Sequence, residues 1–186
     1  MKTILSNEGD LIEQARRRNE SAFADLVKGY TPMLYRVVRR MVTDTQEAES
    51  IVQETFWRFW NALPGYNADR PLLPYLATIA ANLGRDRYRR ERRIDDVDLD
   101  IVLESHNNEE MDLEGKVDQK FMLQSLADAV ESLPFNYRAV ISLRYDADMD
   151  YEDIACALSL PLNTVRTHLR RAKQILRRKI EEADHG

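Results

Sequence analysis

The basic side chains of the stretch 163–180 are the groups in this sequence best suited to binding chemistry. Guanidinium and ammonium groups bind phosphates and base edges, and no acidic residue opposes them here. An apolar residue recurs every three or four positions from Val165 to Ile180, which predicts one amphipathic helix. The charged face of such a helix is usually only solvated, so the flanking sequence must show whether this face binds a partner. The basic residues are Arg166, Arg170, Arg171, Lys173, Arg177, Arg178 and Lys179.

A shorter helical segment precedes this basic helix. Asp150 can cap it, with Asp153 at capping-box spacing, and the sequence SLP at 159–161 breaks it. Asn163 is a suitable cap for the basic helix that follows. A short helix, a tight turn and a basic amphipathic helix form a helix-turn-helix pattern, whose second helix enters the DNA major groove. We therefore expect 150–179 to contact DNA.

The composition limits the remaining function classes. The 186 residues carry a net charge of −5, which argues against nucleic acid until the segregation of charge is considered. The single cysteine, Cys156, excludes an internal disulfide and a cysteine-based zinc site, and we expect it to be a small buried thiol. No nucleophile–base pattern, paired metal-ligand spacing or nucleotide-binding loop occurs, so we expect no enzyme activity, metal or cofactor. No apolar run could span a membrane, and the first ten residues do not resemble a signal peptide, so we expect a cytoplasmic protein.

The sequence predicts that the first half of the chain is mainly helical. Pro32 is expected to mark a kink or a restart, Asn19 or Ser21 to cap the second helix, and Thr45 to cap the third. The sequence 64–71 predicts a loop. The expected helices are 10–18, 19–42, 46–63 and 72–93, followed later by 119–132 and 136–145. In 119–132 the residues expected to face inward are Leu123, Leu126, Ala127 and Val130. Asn136 is expected to cap the helix that ends at 145.

Two tryptophans lie beside the apolar face that helical spacing predicts for the third helix, and they make that face wider. Trp57 and Trp60 could make a broad core contact or a partly exposed docking face for another protein. The residues alone leave both interpretations open.

Charge changes sign abruptly near Ile94. Arginines dominate 85–93, with an interleaved tyrosine, a composition that suits phosphate and base contact, although charge at a helix C-terminus would explain it too. From 95 to 118 ten carboxylates are opposed by Lys116 alone, which predicts a flexible acidic linker. We therefore expect an all-α protein with two small helical domains, 1–94 and 119–186, joined by 95–118, the second domain being a helix-turn-helix.

Three strings carry a resemblance to a known family: AESIVQETFWRFWNAL, LPYLATIAANLGRDRYRRERR and LPFNYRAVISLRYDADMDYEDIACALSLPLNTVRTHLRRAKQILRR. In this order, with an acidic segment between the second and third, the chain resembles a bacterial sigma factor of the extracytoplasmic-function group. That group keeps the second and fourth regions of the sigma family. The resemblance implies a promoter-specificity subunit of RNA polymerase, with core polymerase, promoter DNA and an anti-sigma factor as partners.

The resemblance also implies three sets of site residues. The first would bind core polymerase, the second would read and melt the −10 element, and the third would read the −35 element. These sets are Gln53, Glu54, Phe56, Trp57 and Trp60 for polymerase; Tyr66, Asn67, Asp69, Arg70, Asn82, Arg85, Asp86, Arg89 and Arg90 for −10; and Arg144, Asn163, Thr164, Arg166, Thr167, Arg170 and Arg171 for −35.

The chain departs from the family pattern at several positions. Ser50 stands where an Asp is usual, and Pro74 follows Leu73 where the family favours an aromatic-Trp-Leu start to the −10 helix. Asn163 and Ser159 replace glycines and are both tolerable there. A free-standing helix-turn-helix regulator is the alternative hypothesis, and it leaves the arginines of 85–93 unexplained. An enzyme using Cys156 or His168 is the third.

Overall fold

The structure, a computed structural model, describes residue 5, residues 7–92 and residues 126–184. Within these ranges every regular element is helical, which confirms the all-α expectation. The predicted linker 95–118, with Arg93 and Leu123, lies outside them. The helices are α1 (Glu8–Arg16), α2 (Glu20–Met41), α3 (Thr45–Ala62), α4 (Leu72–Arg92), α5 (126–131), α6 (Phe135–Tyr145), α7 (Tyr151–Leu158) and α8 (Leu162–Asp184), with a 3-10 turn, Leu63–Gly65, after α3.

Helix α2 is the centre of the N-terminal half. Its apolar residues recur at helical spacing, so one face of α2 is buried under α1, α3 and α4. Tyr30 and Phe59 are among the largest side chains that are fully buried in this core. Pro32 lies inside α2 and is exposed, so the helix does not restart there.

Asn19, one of the two predicted caps of α2, is confirmed, whereas the predicted cap of α3 is wrong. Asn19 caps α2, its side-chain oxygen accepting from the N–H of Ala22 at 3.2 Å. Asp44, and not Thr45, caps α3 by accepting from the N–H of Glu47 at 2.7 Å. The prediction of Thr45 was wrong because Thr45 is already the first helical residue, and the carboxylate before it reaches the free N–H groups.

The C-terminal half contains the predicted helix-turn-helix. Asp150 caps α7, accepting from the N–H of Asp153 at 2.8 Å, as predicted. Helix α6 begins at Phe135, directly after Pro134, so Asn136 is inside the helix and does not cap it. Helix α8 likewise begins at Leu162, which places the predicted cap Asn163 in its first turn. Ala127 is exposed, whereas the following apolar residue pair, 129–130, is buried.

The two halves pack against each other. Helix α6 contacts α2 and α4, and α7 contacts α4, so the buried apolar residues of both halves form one continuous core. The sequence predicted two domains and gave no indication of this contact.

The turn between α7 and α8 offers a stability test. Ser159 ends α7 in the left-handed conformation, with φ 53° and ψ 43°. A side chain carries a steric cost there that glycine does not. We expect Ser159→Gly to raise the free energy of unfolding by about 1 kcal/mol, measured by urea denaturation. The matched control Ser159→Ala keeps the Cβ and should give no such gain; an equal gain would contradict the explanation.

Candidate nucleic-acid interface

The outer face of α8 is the first candidate surface. Val165, Leu169 and Ala172 are buried, which turns the opposite face of the helix to solvent. Asn163, Arg166 and Arg170 are exposed, and Thr164, Thr167 and Arg171 are half-buried on the same first turns. Six of the seven predicted −35 residues therefore lie together on one end of one helix.

Arg144, the seventh, is in the last turn of α6. Its guanidinium donates to the carbonyl of Met149 at 2.7 Å and lies over the Tyr151 ring, 5.5 Å from the centroid. These contacts hold the loop that leads into α7. Arg144 thus positions the helix-turn-helix, in addition to any contact it makes with a nucleic-acid backbone.

The loop between the 3-10 turn and α4 is the second candidate surface. Asn67, Asp69 and Arg70 are exposed, and the Asn67 side chain accepts from the N–H of Asp69 at 2.9 Å, which fixes a tight turn. Tyr66 is buried instead, at 5% exposure, and its hydroxyl donates to the carbonyl of Arg70 at 2.6 Å. Its ring packs against Tyr75, with 4.8 Å between centroids. Tyr66 therefore shapes the loop from inside.

Burial moves the pKa of the Tyr66 hydroxyl further from neutral pH. Removal from water raises the pKa of this phenol, and the nearby Glu8 carboxylate raises it further. The hydroxyl consequently stays protonated at any physiological pH, and its bond to the loop carbonyl does not vary with pH.

Helix α1 anchors both ends of this loop, which sequence reasoning missed. Arg16 donates to the carbonyl of Leu63 at 3.3 Å and to that of Tyr66 at 2.6 Å. At the other end the Glu8 carboxylate accepts from the backbone N–H of Leu72, the first residue of α4. Burial nevertheless raises the pKa of Glu8. No local pattern marks these residues, because their partners lie about fifty residues or more away.

The polar face of α4 continues from the loop. Asp86, Arg89 and Arg90 are exposed, and Arg90 also donates to the carbonyl of Asp86 at 3.2 Å. Asn82 and Arg85 are half-buried and bonded to each other at 2.9 Å. On α4, the second surface therefore combines exposed side chains with side chains that form hydrogen bonds within the protein.

Ser50 and Arg87 join α3 to α4. Arg87 donates to the Ser50 hydroxyl at 2.9 Å and to the carbonyl of Glu47 at 3.3 Å. The serine that departs from the family pattern thus positions an arginine of the 85–93 cluster.

The tryptophan-bearing helix α3 divides between core and surface. Trp57 is 62% exposed, and Gln53 and Glu54 lie on the accessible side near it. Phe56 is buried in the core, and Trp60 is half-buried, with its ring centroid 4.6 Å from that of Phe23. Trp60 therefore takes part in the core contact, whereas Trp57 lies on the surface, where the docking interpretation stays a prediction.

Three other expectations concern the chemistry of the chain. Cys156 is exposed, so the expectation of a buried thiol was wrong; its neighbours on α7, Ile154 and Ala157, take the buried positions.

Among residues 7–92 and 126–184 no cluster of ligating side chains could hold a metal ion. Over the same described residues, no helix has both the length and the apolar character needed to cross a membrane.

Two family models match the chain, Sigma-70 region 2 over residues 26–94 and Sigma-70, region 4 over residues 123–176. ECF RNA polymerase sigma factor SigW of Bacillus subtilis is 27% identical, over 92% of this chain and 95% of that protein. RNA polymerase sigma-H factor of Pseudomonas aeruginosa is 29% identical, over 93% and 94%.

Solved structures show the same fold. CnrH in complex with the cytosolic domain of CnrY has a TM-score of 0.64 and 24% identity, over 95% of this chain and 99% of that one. Sigma factor RpoE in complex with the anti-sigma factor NepR, from Bartonella quintana, has a TM-score of 0.62 and 23% identity, over 86% and 96%.

The loop geometry gives a direct test. Tyr66→Phe removes the hydroxyl that holds the Arg70 carbonyl, so we expect the free energy of unfolding to fall by about 1 kcal/mol in urea denaturation. Tyr75→Phe is the matched control, because Tyr75 belongs to the same ring cluster and contributes its ring alone. Equal losses in both variants would mean that the hydroxyl does not hold the loop.

Proposed function

The chain belongs to the sigma-70 family as an RNA polymerase sigma factor of the extracytoplasmic-function group, and from that membership we propose how its halves divide promoter recognition. Its function is promoter-specific initiation of transcription. Residues 1–94 bind core polymerase and open the −10 element, residues 119–186 read the −35 element, and 95–118 link them. The factor has no catalytic activity of its own and works in the cytoplasm.

The −35 element meets the outer face of α8. Arg166 and Arg170 are exposed on consecutive turns, where their guanidinium groups can reach base edges in the major groove. Asn163, Thr164, Thr167 and Arg171 flank them and contact bases or phosphates. Arg144 supports this surface by holding the loop before α7.

The −10 element meets the loop 66–70 and the polar face of α4. Melting requires bases to leave the stack and be held, which a rigid loop beside a basic helix can do. Asn67, Asp69 and Arg70 offer polar groups on the loop, while Tyr66 sets the loop's shape. The α4 contribution comes from Asn82, Arg85, Asp86, Arg89 and Arg90.

Core polymerase docks on α3. An exposed tryptophan beside polar residues is typical of an interface hot spot, and Trp57 is the most exposed large apolar side chain of the described residues. Gln53 and Glu54 extend the contact. Phe56 and Trp60 support it by packing beneath. This exposed Trp57 is the observation that best favours a polymerase subunit over a free-standing DNA-binding regulator.

An anti-sigma factor completes the expected partners. RpoE of Bartonella quintana, whose fold this chain shares, is solved with the anti-sigma factor NepR. A partner of this class would hold the factor away from polymerase until a signal releases it.

Reconstituted transcription tests the proposal. Core polymerase plus this protein should start transcripts at fixed positions on a template pool with randomised −35 and −10 elements at set spacing, read by sequencing RNA 5′ ends. Trp57→Ala should weaken binding to core polymerase about 30-fold or more, the loss expected for a central aromatic. Gln46→Ala, exposed on the same helix, is the control. Tight −35 DNA binding without any polymerase complex would favour the regulator instead.

The base-reading role of α8 makes a separate prediction. Arg166→Ala should cost about 1–3 kcal/mol of discrimination among −35 variants, measured as relative initiation from the randomised pool. Arg178→Ala, exposed on the same helix and paired with Glu182 at 3.5 Å, is the control. An unchanged −35 preference in Arg166→Ala would remove this residue from base readout.

A further inference from the structure

Helix α1 ends in a type of turn that usually carries glycine. The N–H of Arg18 donates to the carbonyl of Ala15 at 2.9 Å, and that of Asn19 donates to the carbonyl of Gln14 at 3.2 Å, which is the pattern of a Schellman motif. The left-handed position of this motif is occupied by Arg18, with φ 64°. A side chain raises the energy of this conformation, whereas glycine adopts it freely. An arginine here therefore carries a cost, and a strained residue of this kind directs attention to what its side chain does.

The Arg18 side chain reaches the last turn of α3. Its guanidinium lies over the Trp60 ring, with 4.9 Å between Cζ and the ring centroid, and its Nη1 donates to the carbonyl of Trp60 at 3.3 Å. A cation in this place is attracted by the negative face of the indole. The end of a helix also favours a positive charge, and α3 has no basic residue in its own last turn. The cation at the end of α3 is thus supplied by the turn after α1.

Trp60 is also attached to the core through α2. Its ring centroid lies 4.6 Å from that of Phe23, and the Phe23 centroid lies 6.1 Å from that of the fully buried Phe59. Phe23 therefore connects the indole to the interior, whereas the exposed Arg18 covers it from the surface. The half-buried Trp60 is held by a ring from the core and by a cation from outside.

The contact lies beside the residue proposed above as the centre of polymerase docking. Trp57 is three positions before Trp60 on α3, and side chains three positions apart are neighbours on a helix surface. The side-chain amide of Asn61 donates to the carbonyl of Trp57 at 3.0 Å, which ties the two turns together. The last turn of α3, which Arg18 holds, is therefore the support next to the exposed Trp57.

We propose that Arg18 is a positioning residue for the polymerase-docking surface. By holding the ring and the backbone of Trp60, it fixes the end of α3 and with it the orientation in which Trp57 meets the polymerase. Side chains fixed before binding lose less conformational entropy on binding, so the affinity rises without a new contact. The inference rests on the proposed docking of core polymerase on α3. It adds to that surface a residue 42 positions away in the sequence.

Two substitutions of Arg18 separate positioning from stability. Arg18→Gln keeps the β-carbon and loses the cation, whereas Arg18→Gly loses the cation and suits the left-handed turn. We expect both variants to bind core polymerase about tenfold more weakly than the wild type. The urea midpoint of Arg18→Gly should nevertheless be higher than that of Arg18→Gln. Binding is measured on the full chain by the anisotropy of a fluorophore attached to its single, exposed cysteine, Cys156.

The fluorescence of Trp60 reports the contact directly. Trp57→Phe leaves Trp60 as the only tryptophan, because the chain has two. In this background both Arg18 substitutions should increase the quenching of Trp60 by acrylamide, since the guanidinium no longer covers the ring. Arg17→Gln is the matched control, because Arg17 is exposed, adjacent in sequence and at an ordinary φ of −80°. It should alter neither the quenching nor the binding to polymerase.

The contrary outcomes are distinct. Wild-type affinity in Arg18→Gly, whatever Arg18→Gln does, would overturn the positioning role, because affinity would then not follow the cation. Unchanged quenching of Trp60 in both variants would show that the guanidinium does not hold the ring. An equal loss of affinity in Arg17→Gln would assign the effect to overall charge. The proposed function fails differently, namely if the wild type forms no complex with core polymerase or if Trp57→Ala binds as tightly as the wild type.

Discussion

The arrangement of the two halves depends on a carboxylate that has been taken almost completely out of water. Burial raises the pKa of Asp146, and the Arg40 guanidinium lowers it by a smaller amount. The attraction therefore does not fully offset the loss of hydration, as is common for buried ion pairs. Such a pair contributes more to selecting which surfaces meet than to the stability of their contact.

Arginine serves two physical purposes in this fold. Some guanidinium groups face solvent on α8 and α4, where they are available to phosphates and bases. Others donate to carbonyls that a helix end leaves free: Arg138 to Met41 at the end of α2, and Arg85 to Leu158 at the end of α7. Because both uses draw on one residue type, a count of arginines overstates the charge that is free to meet DNA.

The local sequence predicts much of this structure. Helical periodicity locates the helices of both halves to within a few residues, and the helix-turn-helix follows from the Asp150 cap and the break at 159–161. The periodicity does not tell which residue at the edge of a wide apolar face is buried, so the places of Trp57 and Trp60 and the exposure of Cys156 needed the fold. Contacts between residues distant in sequence left no local signal. The anchoring of the loop and the meeting of the halves belong to this class.

Helix α1 lies before the matched Sigma-70 region 2 segment, which begins at residue 26. Its Arg16 and Glu8 nevertheless hold the two ends of the loop that carries Asn67 to Arg70. A protein trimmed to the matched segment would retain every residue of the loop and lose the external supports that fix its shape. The shape of this loop therefore depends on residues outside the matched segment, because the first helix supports the loop from there.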